Sequence, residues 1–279
     1  MLPAVVKLCC GISYPHIKNI AGKPSTTHRR TFSFLFLFMQ TMHSQLRFPK
    51  YYKQLSFAEA KPKDIKPVPA KEDQLYVQHG QEAMRKALSV LEEKEGWKLE
   101  VAESNGDMIC SKVIPGGRKV FRLEAVLDAS VDELYNILFV RVEEIHQWNP
   151  SIQQIKVLKR IGLQTIVIHE VSTGTAGNVI GKRDFLSVRH TCKQRSSVYI
   201  GGAAVQLESL PPQAGFVRAE HGPTCIIIQA LDEDSTKSRF TWLLNMDVKG
   251  WLPKSIVNQA LPRVQLDFTR HLRRRLSLG

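Results

Sequence analysis

Thr165-Ile-Val-Ile-His-Glu-Val171 and Asp184-Phe-Leu-Ser-Val-Arg189, joined by Ser172-Thr-Gly-Thr-Ala-Gly-Asn-Val-Ile-Gly-Lys182, decide how the chain is read. Apolar runs of this length, rich in β-branched residues, read as strands buried on most of their surface. Side chains alternate across a strand, so Glu170 shares a face with Ile166 and Ile168, and Arg189 shares one with Phe185 and Ser187. If both faces turn toward one interior, a carboxylate and a guanidinium stand in an apolar space. Either charge left unpaired there costs several kcal/mol, so the two should pair. Two plainer placements stay open at this point: a pair in water at the sheet's end, or a pair that only ties two strands together.

Outward from this stretch the pattern is mostly strand. Lys98–Glu103 and Met108–Pro115 flank Asn105-Gly106, the strongest short hairpin signal, and Arg118–Asp128 follows. Ser130-Val-Asp-Glu133 is a capping box that opens a helical stretch ending near Trp148-Asn-Pro150. Further strands are predicted at Ile152–Arg160, Gln164–Val171, Asp184–Cys192, Ser197–Val205, Gly215–Glu220, Cys225–Leu231 and Arg239–Val248. Before the strands, Lys71–Lys94 has helical periodicity, with Tyr76, Gly80, Ala83, Ala87 and Leu91 on one face and Met84 and Leu88 beside them. After them, a helix begins at Pro253, a residue suited to a first turn. Its stripe is Leu252, Ile256, Ala260, Val264, Phe268, Leu272 and Leu276, and Arg270, Arg273, Arg274 and Arg275 crowd its end, where cations suit the helix dipole. Pro262 predicts a kink or break in that helix. The fold class is therefore α+β: an antiparallel meander of about nine strands, a long helix in front, and a C-terminal helix laid across the sheet over a pocket.

The net charge of +13 is unevenly spread. Residues 1–58 hold eight Lys/Arg and no Asp or Glu, leaving 31 basic against 26 acidic residues in 59–279. A basic, acid-free leader rich in Ser, Thr and His has the composition of a mitochondrial targeting segment; a secretory signal is the rival, because of the apolar run Phe32–Met39. That run is too short to span a bilayer, which takes about 20 residues. Residues 59–69 contain the Pro/Lys linker Lys61–Pro69, and 70–279 form the folded domain. Five cysteines at 9, 10, 110, 192 and 225 lack CxxC spacing, which argues against a disulfide framework or a zinc site.

No GxSxG, HExxH, GxxxxGK[ST] or strand–GxGxxG–helix signature is present, so the chain carries no motif for a nucleophile, metal or nucleotide cofactor. His169 and Glu170 are sequence neighbours and point to opposite strand faces, so they do not serve one site. With the charge in the leader and no aromatic-basic stacking platform, a nucleic-acid module is disfavoured. A binding architecture remains. An enzyme using the cavity carboxylate as a general acid is the rival class.

Ile168-His-Glu170, Ala176–Gly181, Arg183-Asp-Phe185, Arg189, Arg218–Cys225, Thr241–Leu244 and Lys249–Ile256 resemble the START-domain lipid-transfer family. The resemblance covers about residue 70 to 276 and the first twenty or so residues. It implies the helix-grip fold, in which the C-terminal helix closes a sterol-sized tunnel. It also implies non-enzymatic delivery of cholesterol from the outer to the inner mitochondrial membrane, where side-chain cleavage begins steroid hormone synthesis; carriage of a phospholipid or another sterol is the alternative. The family's cavity carboxylate and arginine fall on Glu170 and Arg189, its imidazole on His221, and apolar cavity positions on Ile200 and Leu276. Arg183 and the loop Gly177–Gly181, with Asn178, match the stretch beside the lid, whose own positions are Val264, Phe268 and Leu272. Implied partners are cholesterol, the acidic outer-membrane surface met by the basic helix end, outer-membrane proteins and the import machinery. The chain departs from the family in its leader between about 22 and 70, in Lys193-Gln-Arg-Ser196 where a kinase motif leads to Ser196, and at Pro262.

Overall fold

The computed structural model describes residues 71–173, 182–231 and 234–278. The leader, the linker and Asn178 lie outside the described residues. Eleven strands form the sheet: β1 (Lys98–Ala102), β2 (Met108–Ile114), β3 (Arg118–Leu127), β4 (Ile152–Ile161), β5 (Thr165–Ser172), β6 (Lys182–Gln194), β7 (Ser197–Ala204), β8 (Phe216–His221), β9 (Thr224–Leu231), β10 (Asp234–Leu244) and β11 (Met246–Asp247). Nine of them run in the order β1-β2-β3-β10-β9-β7-β6-β5-β4. Asn105-Gly106 makes the predicted first hairpin turn, with Gly106 at φ 90°, a left-handed conformation that favours glycine.

The expected meander fails at β8, which runs parallel to β6 over Lys182–Phe185. β6 is 13 residues long, and β7 covers it only from Ser187 to Gln194. The rest of that edge would present bare N–H and C=O groups inside the molecule, and β8 satisfies them. The predicted strand Arg239–Val248 also divides at Asn245, whose carbonyl accepts from Gly222 N at 2.9 Å.

The sheet's two faces are covered differently. On one lies α1 (Lys71–Glu92), which buries Gly80, Ala83, Met84, Ala87, Leu88 and Leu91, the face its periodicity predicts. A Cβ at Gly80 would sit 2.7 Å from His190 Cβ, and one at Gly201 would sit 2.5 Å from Met84 Cβ. Helix and sheet therefore approach more closely than side chains at either position would allow. On the other face lie α2 (Val131–Tyr135), a π-helical turn at Asn136–Val140, a 3-10 turn at Val142–Glu144 and α3 (Ile145–Trp148), where one helical stretch was predicted. Ser130 Oγ accepts from Glu133 N at 3.2 Å, as the capping box requires. The wide π turn lets three consecutive apolar residues, Ile137, Leu138 and Phe139, bury together.

The same face carries α4 (Lys254–Ser277), which is continuous through Pro262, so the expected division does not occur. Its buried residues are Leu261, Pro262, Gln265, Leu266, Thr269 and Leu272. The i+4 line from Leu252 to Leu276 is not the buried face, and Val264 is 44% exposed. At 3.6 residues per turn each step of four overshoots by about 40°, so a strict i+4 line winds off any one face.

Candidate functional site

α4 and the sheet do not close completely. The cavity between them is walled by Leu138, Ile152, Ile155, Ile226, Trp242 and Met246, with Val264 and Phe268 from α4. The cavity volume is about 140 Å³. Phe268 holds the helix side in place: its ring centroid is 5.5 Å from Trp148 and 5.1 Å from Trp242.

A charged cluster interrupts this wall. In the register of β5 on β6, Glu170 stands opposite Phe185 and Ile166 opposite Arg189, which puts both charged side chains on the cavity face. Arg189 Nη2 donates to Glu170 Oε2 at 3.2 Å. The two side chains retain only 23% and 13% of their surface, and both line the cavity. Burial raises the Glu170 carboxyl above its ordinary range against the pull of Arg189 and His169, and burial lowers Arg189 against the pull of Glu170. Each charge is thus poorly compensated by a single contact.

His221 completes the cluster from β8, its ring 4.6 Å from that of Phe185. Burial, then the charge of Arg189, pushes its pKa down to about 3, so the ring is neutral. Its Nδ1 is buried and meets no hydrogen-bond partner among the described residues. A neutral imidazole, a carboxyl and a guanidinium around one apolar void can orient one hydroxyl: donors and an acceptor are all present.

The remaining candidates are placed as follows. Ile200 is 5% exposed and lines the cavity. Val264 and Phe268 line it from α4, whereas Leu272 lies in the main core at 0% exposure and Leu276 packs against that core without entering the cavity wall. Arg183 Nε donates to the Val248 carbonyl at 3.3 Å, tying β6 to the segment before α4. Ser196 is exposed in the β6–β7 turn.

His169 faces away from Glu170, as strand alternation requires, and its Nε2 lies 2.9 Å from Asp184 Oδ2. Arg218 donates to both oxygens of Asp184, at 3.0 and 2.8 Å. Burial pushes the Asp184 carboxyl up, and the bonds from Arg218 and His169 overcome it and hold it below its ordinary range. This ionic knot joins β5, β6 and β8 and was not foreseen, because the β6–β8 pairing has no local sequence signal. The polar lining residues Asn149, Ser151 and Thr224 were also missed, since short polar residues in strands and turns read as ordinary surface, whereas Ser187 lines the cavity on the face it was read to share with Arg189.

Residues 78–278 match the family model of the START domain. The chain is 40% identical over 288 residues to "Steroidogenic acute regulatory protein, mitochondrial" of Danio rerio, covering 100% of this chain and 97% of that protein. It is 42% identical over 280 residues to the protein of the same name in Rattus norvegicus, covering 99% and 96%. Both matches run through the leader, including the part that motif comparison left unaligned. The solved structure of "Human StAR-related lipid transfer protein 5" has the same fold, with a TM-score of 0.65 at 19% identity, covering 72% of this chain and 96% of that one. The chain belongs to the START-domain family and, within it, groups with the steroidogenic acute regulatory proteins.

Proposed function

We propose that the chain is a mitochondrial cholesterol carrier: it binds one sterol between α4 and the sheet and moves it from the outer to the inner mitochondrial membrane, supplying steroid synthesis without chemistry of its own. The observation that carries this reading is the cluster of Glu170, Arg189 and His221 Nδ1 facing a mostly apolar cavity. The ring system would remove apolar surface from water at about 25 cal/mol per Å². The cluster would hold the single hydroxyl, which fixes orientation and registers its absence as unpaired buried groups. The names of the relatives, steroidogenic and mitochondrial, agree with this cargo and place.

In the same reading residues 1–58 are the targeting leader taken up by the import machinery, 59–69 the linker and 70–279 the carrier domain. The exposed Ser196, after Lys193-Gln-Arg195, is open to a kinase. The test is mass spectrometry of lipid co-purifying with the full chain. A sterol is the expected cargo, and a phospholipid there would replace cholesterol with another lipid. Steroid product formed without added enzyme would turn the carrier into a catalyst.

A further inference from the structure

Arg274-Arg-Leu-Ser-Leu278 stands at the C-terminal end of α4. Two arginines, a spacer, a serine and an apolar residue form the pattern that arginine-directed serine kinases bind. Kinase carboxylates take the guanidiniums three and two residues before the serine in planar, paired contacts that lysine or glutamine cannot reproduce. Two arginines, a spacer and a serine occur in this order only here; Lys193-Gln-Arg-Ser196 has no arginine at either position.

The structure divides the arginines of this helix end into two kinds. Arg270 is held by Asp267 at 2.6 Å. Arg273 forms two hydrogen bonds of 2.6 Å to the carboxylate of Asp107 and a third, of 3.0 Å, to the Val126 carbonyl. Arg274 and Arg275, the two that the pattern needs, form no ion pair and no guanidinium hydrogen bond among the described residues. Ser277 is exposed, and its Oγ donates only to the Arg274 carbonyl, at 2.9 Å. Leu278 is 81% exposed, and its N reaches the Arg275 carbonyl at 3.4 Å. The last turn of a helix has carbonyls without partners and unwinds readily. A kinase can therefore draw this segment out as an extended strand, and the clasp of Arg273 on Asp107 marks where the unwinding stops.

Ser196 is exposed as well, but its surroundings are committed. Lys193, three residues before it, pairs with Asp132 at 3.2 Å and lies 4.0 Å from the centroid of the Tyr135 ring. The turn that holds Ser196 is closed by the pairing of Gln194 with Ser197, and the Ser196 carbonyl accepts from Ala230 N at 2.9 Å. Extending this segment would break sheet hydrogen bonds, whereas extending the end of α4 breaks one helical turn.

We infer that Ser277 is a phosphorylation site for an arginine-directed serine kinase, and a better substrate than Ser196. The phosphoryl donor is ATP. The Ser277 hydroxyl gives its proton to the kinase's catalytic carboxylate, a bond forms between Oγ and the γ-phosphorus, and the bond from that phosphorus to ADP breaks. The phosphate brings a charge of about −1.5 to −2. It lands beside two unpaired guanidiniums, so a single modification turns this end of the chain from basic to nearly neutral. The site is independent of the sterol cargo.

The test incubates the folded full chain with ATP and the catalytic subunit of a cyclic-AMP-dependent kinase, its activity verified on a peptide substrate, and maps phosphate by mass spectrometry. Initial rates at Ser277 are compared for the wild type, Ser196→Ala, Arg270→Gln and Arg274→Gln/Arg275→Gln; none of the altered side chains is fully buried. Ser277 should carry phosphate in the wild type and equally in Ser196→Ala and Arg270→Gln. The rate should fall at least about tenfold in Arg274→Gln/Arg275→Gln, the loss expected from removing charged hydrogen bonds. An unmodified Ser277 in the wild type, phosphate on Ser196 instead, or equal rates in the two arginine variants would overturn the assignment.

Discussion

Replacing Glu170 and Arg189 together separates what this pair does for the fold from what it does for a ligand. Glu170→Ala alone leaves a guanidinium in the cavity with its one 3.2 Å partner gone. Breaking a buried pair in this way costs about 3–5 kcal/mol. The low end applies here, because the retained surface of both side chains lies in the cavity wall, where water can enter. The double change Glu170→Met/Arg189→Met removes both charges at similar volume, and such replacements are neutral or stabilising by about 1–4 kcal/mol. Urea unfolding should therefore show the double variant at least as stable as the wild type and the single variant clearly weaker.

Sterol binding should follow the opposite logic. The double variant loses both of the hydroxyl's charged partners and the single variant one of them, each worth about 1.5–3 kcal/mol, or roughly 10- to 150-fold in affinity. A double variant that binds sterol as tightly as the wild type would refute the assignment of this pair to the ligand. One that is several kcal/mol less stable would show the pair to be a structural tie instead.

Three further outcomes follow from particular contacts. His221 and His190 have folded pKa values pushed down to about 3 and about 4 by burial; the unfolded chain takes up protons below about 6.5 where the folded one does not, so stability is present above that pH and falls as pH drops, by about 2 kcal/mol per histidine at pH 5. Glu170 works the other way, since burial raises its carboxyl and its contribution is lost as pH rises, and His221→Gln should flatten the urea midpoint between pH 7 and 5 where Glu170→Gln does not. Pro262→Ala restores a backbone donor in α4 and should raise stability by up to about 3 kcal/mol, read by thermal unfolding. Gly80→Ala forces a Cβ to 2.7 Å from His190 Cβ and should cost about 1–3 kcal/mol with no change in sterol selectivity.

How much of this was legible in the chain depended on whether the governing interaction was local. The buried face of α1 and the shared face of Glu170 and Arg189 follow from helical and strand periods, and both appear as read. The strand β8 was visible as a segment, but its parallel place beside β6 was not, because an unfilled edge elsewhere in the sheet determines it. In α4 the apolar letters were correct and the face was wrong, since Gln265 and Thr269 are buried while Val264 is half exposed. Gln265 is tolerated there by its bond to the Trp242 carbonyl, a partner no helical pattern reveals. His221 came only through resemblance; its unpartnered nitrogen is a property of the assembled cavity.

Titration of a fluorescent sterol into the full chain, with unlabelled cholesterol as competitor, tests the central claim most directly. The account predicts saturation at about one sterol per chain, displacement by cholesterol, and weaker binding in Glu170→Ala. Binding that never saturates, or that phospholipid displaces and cholesterol does not, would contradict it.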